Sequence, residues 1–191
     1  IEYERDDMGN ITQETIKSDT GAITKVHKKV FDELGRIIES VSANGKKTKF
    51  TYDPNSNRLA IINPLSRTSG QAFDALNRLK KSTDALNNIT ELEYNEFDQI
   101  RFVKHPRGVT TEYQYDDFNR LVKRISPDSG VTTYRYDEAN NIIESTDATG
   151  KATSYKYDAL NRVTEKKFNA DETFDYTITY VYDEVENGNV G

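Results

Sequence analysis

The 191 residues contain no cysteine, so the chain holds neither a disulfide nor a thiolate metal site. That absence suits secreted and cytosolic proteins alike and fixes no compartment. Histidine is nearly absent too: only His27 and His105 are present, far apart in sequence. No apolar run approaches the roughly 20 residues that a membrane-spanning helix needs. The opening "IEYERDDMGN" lacks the pattern of a signal peptide and reads like sequence cut from something longer. Blocks of like charge are missing as well. The 26 Lys and Arg and 32 Asp and Glu are interleaved, with a net charge of −6. This describes a solvated surface and gives no footprint for nucleic acid or for insertion into a membrane. With 35% apolar residues and a mean hydropathy of −0.83, the chain is too polar for a large oily core. What is plentiful is twelve Tyr, eight Phe and twenty Thr, far too many for a disordered segment. These residues fit a pleated, half-exposed surface, so the composition predicts an all-β protein.

A periodic pattern organises those residues. An acidic anchor following an aromatic falls at Asp6, Asp32, Asp53, Asp74, Asn95, Asp116, Asp137, Asp158 and Asp183. The gaps are 26, then six of 21, then 25, and only Asn95 departs from Asp. One residue before the anchor stand Phe31, Tyr52, Phe73, Tyr94, Tyr115, Tyr136, Tyr157 and Tyr182. Three before it stand Tyr3, Phe50, Leu92, Tyr113, Tyr134, Tyr155 and Tyr180, with Gln71 the exception. Three or four after it come Gly9, Gly35, Asn57, Asn77, Asn119, Asn140 and Asn161. A basic residue usually follows (Arg36, Arg58, Arg78, Arg120, Arg162) and then an aliphatic one. About eight before the anchor lies a second turn-former: Gly45, Asn87, Gly108, Gly130 or Gly150.

One period reads as a hairpin plus a connecting turn. Val109 to Tyr115 alternates and is β-branched or aromatic, which predicts a strand. In "DDFN" Asp116 is placed to accept backbone N–H groups, and Asn119 tolerates the left-handed conformation. Arg120 to Ile125 is the expected return strand, with Leu121, Lys123 and Ile125 on one face and Val122 and Arg124 on the other. "SPDSG" and "TDATG" turn the chain back into the next unit. Residues 1–191 are therefore expected to form one array of about eight repeats. Tyr113 and Tyr115 share a face, so equivalent tyrosines are expected to align as ladders across the sheet. Each cross-strand aromatic pair contributes on the order of 0.2–1 kcal/mol, less than the roughly 1–2 kcal/mol of entropy per ordered residue. Stability must come from many units holding their neighbours, and a strip this long is expected to twist and curl.

Chemistry-bearing constellations are few. No nucleophile elbow is present, and the two histidines lie in different repeats, so no catalytic residue and no cofactor is expected. "DPNSN" (Asp53 to Asn57) alternates oxygen ligands as a calcium loop does. It lacks the glycine and the later Glu of such loops, and a repeat turn one residue longer than its siblings explains it better than a metal site. The Asp–Arg pairs recur with the structural period, which active sites do not, and read as turn caps and surface pairs. Rows of tyrosine beside Asn, Asp and Arg also suit stacking on a sugar; holding neighbouring hairpins together is the preferred reading.

These columns, best seen in "YQYDDFNRLVKRISPDSGVTTYRYD" and "YKYDALNRVTEKK", resemble the tyrosine–aspartate (YD) repeats of the RHS family. That family includes bacterial Rhs polymorphic toxins, the C components of insecticidal ABC toxins, and teneurins. The resemblance runs from Tyr3 to the last residues. It implies a long antiparallel sheet of β-hairpins spiralling into a hollow shell, of which this chain supplies part of a wall. It further implies a non-enzymatic role in encapsulating or scaffolding a C-terminal cargo, in a secreted or cell-envelope setting. The expected partners are the remaining repeats and that cargo; the alternative is an extracellular surface that binds glycan or protein. The repeat positions carried over are Tyr52, Asp53, Phe73, Asp74, Tyr94, Tyr113, Tyr115, Asp116, Arg120, Tyr134, Tyr136, Asp137, Tyr155, Tyr157, Asp158, Arg162, Tyr182 and Asp183. The family's self-cleavage region has no match, since the only Asp-Pro, Asp53-Pro54, sits in an ordinary repeat turn.

Overall fold

The structure, a computed structural model, describes residues 1–169 and 175–182. Among them are seventeen β-strands and no helix. The chain divides into two compact units at Leu92/Glu93. The first holds β1 (Glu2–Arg5), β2 (Ile11–Lys17), β3 (Ile23–Phe31), β4 (Ile37–Val41), β5 (Lys47–Tyr52), β6 (Arg58–Ile62), β7 (Thr68–Phe73), β8 (Leu79–Thr83) and most of β9 (Ile89–Tyr94). The second holds β10 (Ile100–Lys104), β11 (Thr110–Tyr115), β12 (Leu121–Ser126), β13 (Gly130–Tyr136), β14 (Ile142–Thr146), β15 (Ala152–Tyr157), β16 (Val163–Asn169) and β17 (Asp175–Thr179). Within each unit every strand pairs antiparallel with the next one in sequence, as a meander of hairpins.

The period-2 alternation gives the sheet two unlike faces. In β5, Thr48, Phe50 and Tyr52 are half-buried while Lys47, Lys49 and Thr51 are exposed. β13 repeats this, with Thr132, Tyr134 and Tyr136 half-buried and Val131, Thr133 and Arg135 exposed. One face thus carries aromatic rings and hydroxyls. The other carries cross-strand ion pairs such as Lys47–Glu39 (2.9 Å), Arg135–Glu144 (3.5 Å) and Lys156–Glu165 (3.0 Å). Among the described residues no apolar side chain is fully buried; the only buried residues are Thr15 and Thr111. Thr111 belongs to a hydroxyl column five residues before the anchor, with Thr48, Ser69, Thr90, Thr132 and Thr153. There is no oily core to hold the fold, so backbone ladders and the contacts between hairpins must do so.

Both ends of the strands close with the same turn. At the anchor, Asn119 N–H bonds to Asp116 C=O (3.0 Å) and Asp116 N–H to Arg120 C=O (3.0 Å). At the connecting turn, Gly108 N–H bonds to His105 C=O (2.8 Å) and His105 N–H to Val109 C=O (2.8 Å). The fourth residue sits at positive φ in each: 64° at Asn119 and 83° at Gly108. The turn after β12 differs. Its positive-φ residue is Gly130 (69°), where a Cβ would also collide with Ala148, so this position needs glycine twice over.

The structure corrects three expectations. Leu121 does not share a face with Lys123. Gln114 opposes Lys123 while Tyr115 opposes Leu121, so Val122 is an extra residue and the pattern flips there. The same one-residue shift recurs at Val30/Phe31, Thr51/Tyr52, Ala72/Phe73, Arg135/Tyr136 and Lys156/Tyr157. The Asp53 turn is not longer than its siblings. Ser56 N–H bonds to Asp53 C=O and Asp53 N–H to Asn57 C=O, so Ser56 (φ 68°) takes the left-handed place that was expected at Asn57. Accordingly Arg58 opens β6 and does not occupy the position of Arg36 or Arg78. Finally, ring-on-ring stacking occurs at Phe168–Tyr176 (centroids 4.5 Å apart), off the repeat columns. The repeat tyrosines use other contacts.

Candidate functional site

The repeat positions converge on the rim of anchor turns. Asp116 serves as the pattern: its Oδ1 accepts the N–H groups of Phe118 (3.0 Å) and Arg120 (2.9 Å), while Oδ2 accepts Arg120 Nε (2.8 Å). Arg120 then reaches forward to the next turn. Its Nη1 donates to Asp137 C=O (3.1 Å) and Asn140 Oδ1 (3.0 Å), and its guanidinium lies 4.8 Å from the centre of the Tyr136 ring. Tyr136 closes the loop backwards, its hydroxyl donating to Leu121 C=O (2.8 Å). Asp, Arg and Tyr of successive repeats thus form one linked set.

Asp137 continues the series with a different partner. Its Oδ2 accepts Asn141 Nδ2 (3.0 Å), which also donates to Asn161 Oδ1 in the following turn (2.8 Å). Asp158 returns to arginine, taking Arg162 Nε at 2.7 Å; that guanidinium stacks over Tyr182 (4.4 Å). Gln99 makes the corresponding link to Asn119 (3.2 Å). The first unit is built alike. Arg36 bonds Asp32 (2.7 Å), Asp53 C=O (2.9 Å) and Ser56 (3.1 Å) and lies over Tyr52. Asn57 bonds Asp53 (2.9 Å) and Asn77 (2.7 Å), and Arg78 bonds Asp74 (2.7 Å). The residue four past each anchor therefore alternates between amide and arginine: Asn10, Arg36, Asn57, Arg78, Gln99, Arg120, Asn141, Arg162. This 42-residue alternation escaped the sequence reading because Arg58 was placed in the wrong column; counting strictly four residues past each anchor reveals it.

The remaining positions fall in the same frame. Hydroxyls of Tyr52, Tyr115, Tyr157 and Tyr182 donate to the carbonyls of Ile37, Ile100, Ile142 and Val163 at 2.8–3.0 Å. Phe73 has no hydroxyl for this bond, and Tyr94 ends β9. Tyr113, Tyr134 and Tyr155 lie half-buried on the same face. Asp183 lies outside the described residues. Both oxygens of Asp53 are taken up by Asn57 within the turn. Among the described residues no cluster of three or more His, Cys, Asp or Glu could hold a metal ion.

The electrostatics follow the bonds. The side-chain amide of Asn141 and the backbone N–H of Asn141 hold the Asp137 carboxyl below the usual carboxylate range. At Asp32, Asp74 and Asp158 the backbone N–H of the partner arginine is the main cause of the same depression. At Asp116 desolvation is the largest influence and pushes upward, but the bonds from Arg120 and Phe118 together outweigh it. Burial raises the phenols of Tyr115, Tyr136 and Tyr157, helped by the neighbouring Tyr113, Asp116 and Tyr155 respectively. The carboxylates are thus held ionised as acceptors and the phenols held protonated as donors.

Comparison with known proteins agrees with this geometry. The family model described as RHS Repeat matches residues 31–68, 103–131, 121–150 and 136–167, together more than half of the chain. A search of curated proteins gave no match. Among solved structures, a Tc holotoxin pore from Photorhabdus luminescens matches with a TM-score of 0.71 at 14% identity, over 90% of this chain and 11% of that one. A TcdB2-TccC3 structure matches with a TM-score of 0.72 at 14% identity, over 92% of this chain and 12% of that one. A form of TcdB2-TccC3 without its hypervariable C-terminal region matches at 0.68 and 18% identity, over 95% and 13%. The chain thus spans only about an eighth or less of the structures it matches, and at these identities the likeness is one of fold. With repeat columns, turn geometry and family model in agreement, the chain belongs to the RHS repeat family.

Proposed function

We propose that this chain is a non-catalytic length of shell wall that encloses or scaffolds a C-terminal cargo of a larger, secreted protein. The observation that carries the reading is the forward-linked rim, where the turns at Asp32, Asp53, Asn95, Asp116 and Asp137 are each bonded to the next, while among the described residues no apolar side chain is fully buried. A globular domain invests in an interior; this chain invests in continuity along the sheet. The mechanism is physical. Backbone groups of adjacent strands satisfy one another about 4.8 Å apart, leaving no passage for a polypeptide or a protease. The whole of residues 1–191 works as one array, with the other repeats and the cargo as its partners. The likeness to segments of Tc toxin structures supports this. The glycan alternative needs free ring faces, and at Tyr52, Tyr136 and Tyr182 an arginine guanidinium already lies over the ring. The test is native protease treatment of the parent polypeptide followed by mass measurement. A protected C-terminal fragment retained with the repeats is expected; digestion of everything outside the repeats would remove the proposal.

A further inference from the structure

Positions that break a repeat column without helping the fold are where other roles are found. The column eight residues past each anchor lies on the ring face, across from aromatic and hydroxyl positions. In the first unit it holds Glu14, Ser40, Ile61 and Ser82, and in the second Val103, Arg124, Ser145 and Lys166. Arg124 stands between Tyr113 and Thr132 on the neighbouring strands, and Lys166 stands across from Tyr155. Serine, isoleucine and valine satisfy this place in other repeats, so the sheet itself has no need of the two cations.

Both are half-buried, and neither forms an ion pair among the described residues. Arg124 Nη2 donates only to hydroxyls, Thr132 Oγ1 at 3.2 Å and Ser129 Oγ at 3.4 Å. Its Nε is buried with no acceptor, the only such side-chain atom among the described residues. Lys166 Nζ faces rings instead, 4.5 Å from the centre of Phe168 and 5.6 Å from that of Tyr155. Between the two rims of this unit no described carboxylate lies on the ring face. At its connecting edge Asp147 is answered by Lys151, and Asp128 is paired with Arg107. The other face, by contrast, sets Arg135 against Glu144 and Lys156 against Glu165. Half-buried charge without a counter-charge destabilises a fold, and the ring face of the second unit carries two instances of it.

We infer that Arg124 and Lys166 receive two carboxylate side chains of an acidic polypeptide segment that lies across the strands of the ring face. This rests on the wall reading above and names the chemistry by which the wall grips what it encloses. Spacing selects the occupant. β12 and β16 are four strands apart, which is about 19 Å at ~4.8 Å per strand. An extended chain covers that span in about six residues. A nucleic acid strand presents a charge roughly every 3.4 Å and would set several phosphates between the cations, where the column offers only the hydroxyl of Ser145. A peptide suits the ground between them: Thr132, Ser145 and Thr153 line a cavity of about 230 Å³ with hydroxyls that can bond its backbone. Arg124 Nη1 is uncommitted, so an arriving carboxylate can take two parallel N–H bonds from Nη1 and Nη2.

Lys166 supplies the test, because a water-soluble carbodiimide joins an amine to a carboxylate where the two are already in contact. The parent polypeptide is coupled under native conditions, digested and mapped by mass. An amide between Lys166 and an Asp or Glu outside residues 1–191 is expected, beside the internal control Lys156–Glu165. Arg124→Ser, which installs the residue natural at Ser40 and Ser145, should lower that yield several-fold. In the isolated chain the same variant should melt at the parent temperature or above it, because an unpaired charge has been removed. Coupling of Lys156 without Lys166, coupling of Lys166 only to carboxylates within residues 1–191, or a yield indifferent to Arg124→Ser would each overturn the inference. So would a loss of several degrees in the isolated variant, which would make the guanidinium a structural group. A protease-protected C-terminal fragment without the Lys166 amide would remove this contact and leave the wall; the amide without protection would keep the contact and remove the wall.

Discussion

The two rims of the sheet use one turn, yet their sequences drift very differently. Connecting turns open with Ser18, Ser42, Asn63, Asp84, His105, Ser126 and Asp147, whereas anchor turns within the described residues open with Asp at every position but Asn95. The backbone does not explain the contrast, because both rims, apart from the turn at Ser126, make the same pair of hydrogen bonds. The second carboxylate oxygen does. Capping the turn needs one acceptor, which Asn63 supplies as well as Asp116 does. Gripping a side chain that also holds the next turn needs two, and that task falls to the anchor rim. A strict residue marks a link, and a loose one marks a bend.

The sharpest way to break this comparison is to remove the same residue from both rims. Asp116→Ala loses the cap and the Arg120 link together, so its melting temperature should fall by several degrees. Asp147→Ala loses a cap alone, and its melting temperature should fall by roughly a degree or two. Equal losses, followed by circular dichroism, would show that the link carries nothing.

Acid should act on all the anchor turns at once. Their carboxyls are depressed in the folded state, so the stability they contribute is present above the ordinary Asp value of 3.8 and is lost as pH falls through the folded values. Thermal melts should be flat down to about pH 4 and then decline steeply. The raised phenols have the opposite sign: the stability from Tyr115, Tyr136 and Tyr157 is present below pH 10.0 and lost as pH rises beyond it. Titrating Asp116→Ala beside the parent chain sharpens the point, since the variant should show the shallower acid limb.

Smaller effects separate the parts of the link. Tyr136→Phe removes the bond to Leu121 C=O and should lose about 1 kcal/mol in denaturant unfolding. Phe73→Tyr, which adds a hydroxyl where the natural sequence has none, should show no comparable loss. Arg120→Asn keeps a donor for Asp116 but loses the bond to Asp137 C=O and the contact over Tyr136, so it should fall between the parent chain and Arg120→Ala. If Asn matches the parent chain at this position, the alternation has no bearing on stability.

Much of this architecture was legible because a turn writes its demands in few residues. Asp at the first place and Gly or Asn at the fourth locate six of the eight described anchor turns, and the 21-residue step finds the turns at Asp53 and Asn95. The face assignment failed past Leu121 because a bulge adds a residue without changing the composition of the strand. Asn57 misled because an asparagine suits the left-handed place, yet here Ser56 fills it and Asn57 is the linker. The ladders of rings were expected from Tyr113 and Tyr115 sharing a face. The side chains instead reach across strands to carbonyls and guanidinium groups, which strand spacing alone does not reveal.

The alternation of short and long linkers also constrains how such a chain can grow. Within each unit the order is amide, arginine, amide, arginine: Asn10, Arg36, Asn57, Arg78, and again Gln99, Arg120, Asn141, Arg162. Duplicating a single hairpin would set two arginines or two amides side by side and leave one turn reaching for a neighbour of the wrong shape. Copying two hairpins together keeps every handshake intact. The natural unit of lengthening is then 42 residues, and genes for longer arrays should gain and lose repeats in even numbers.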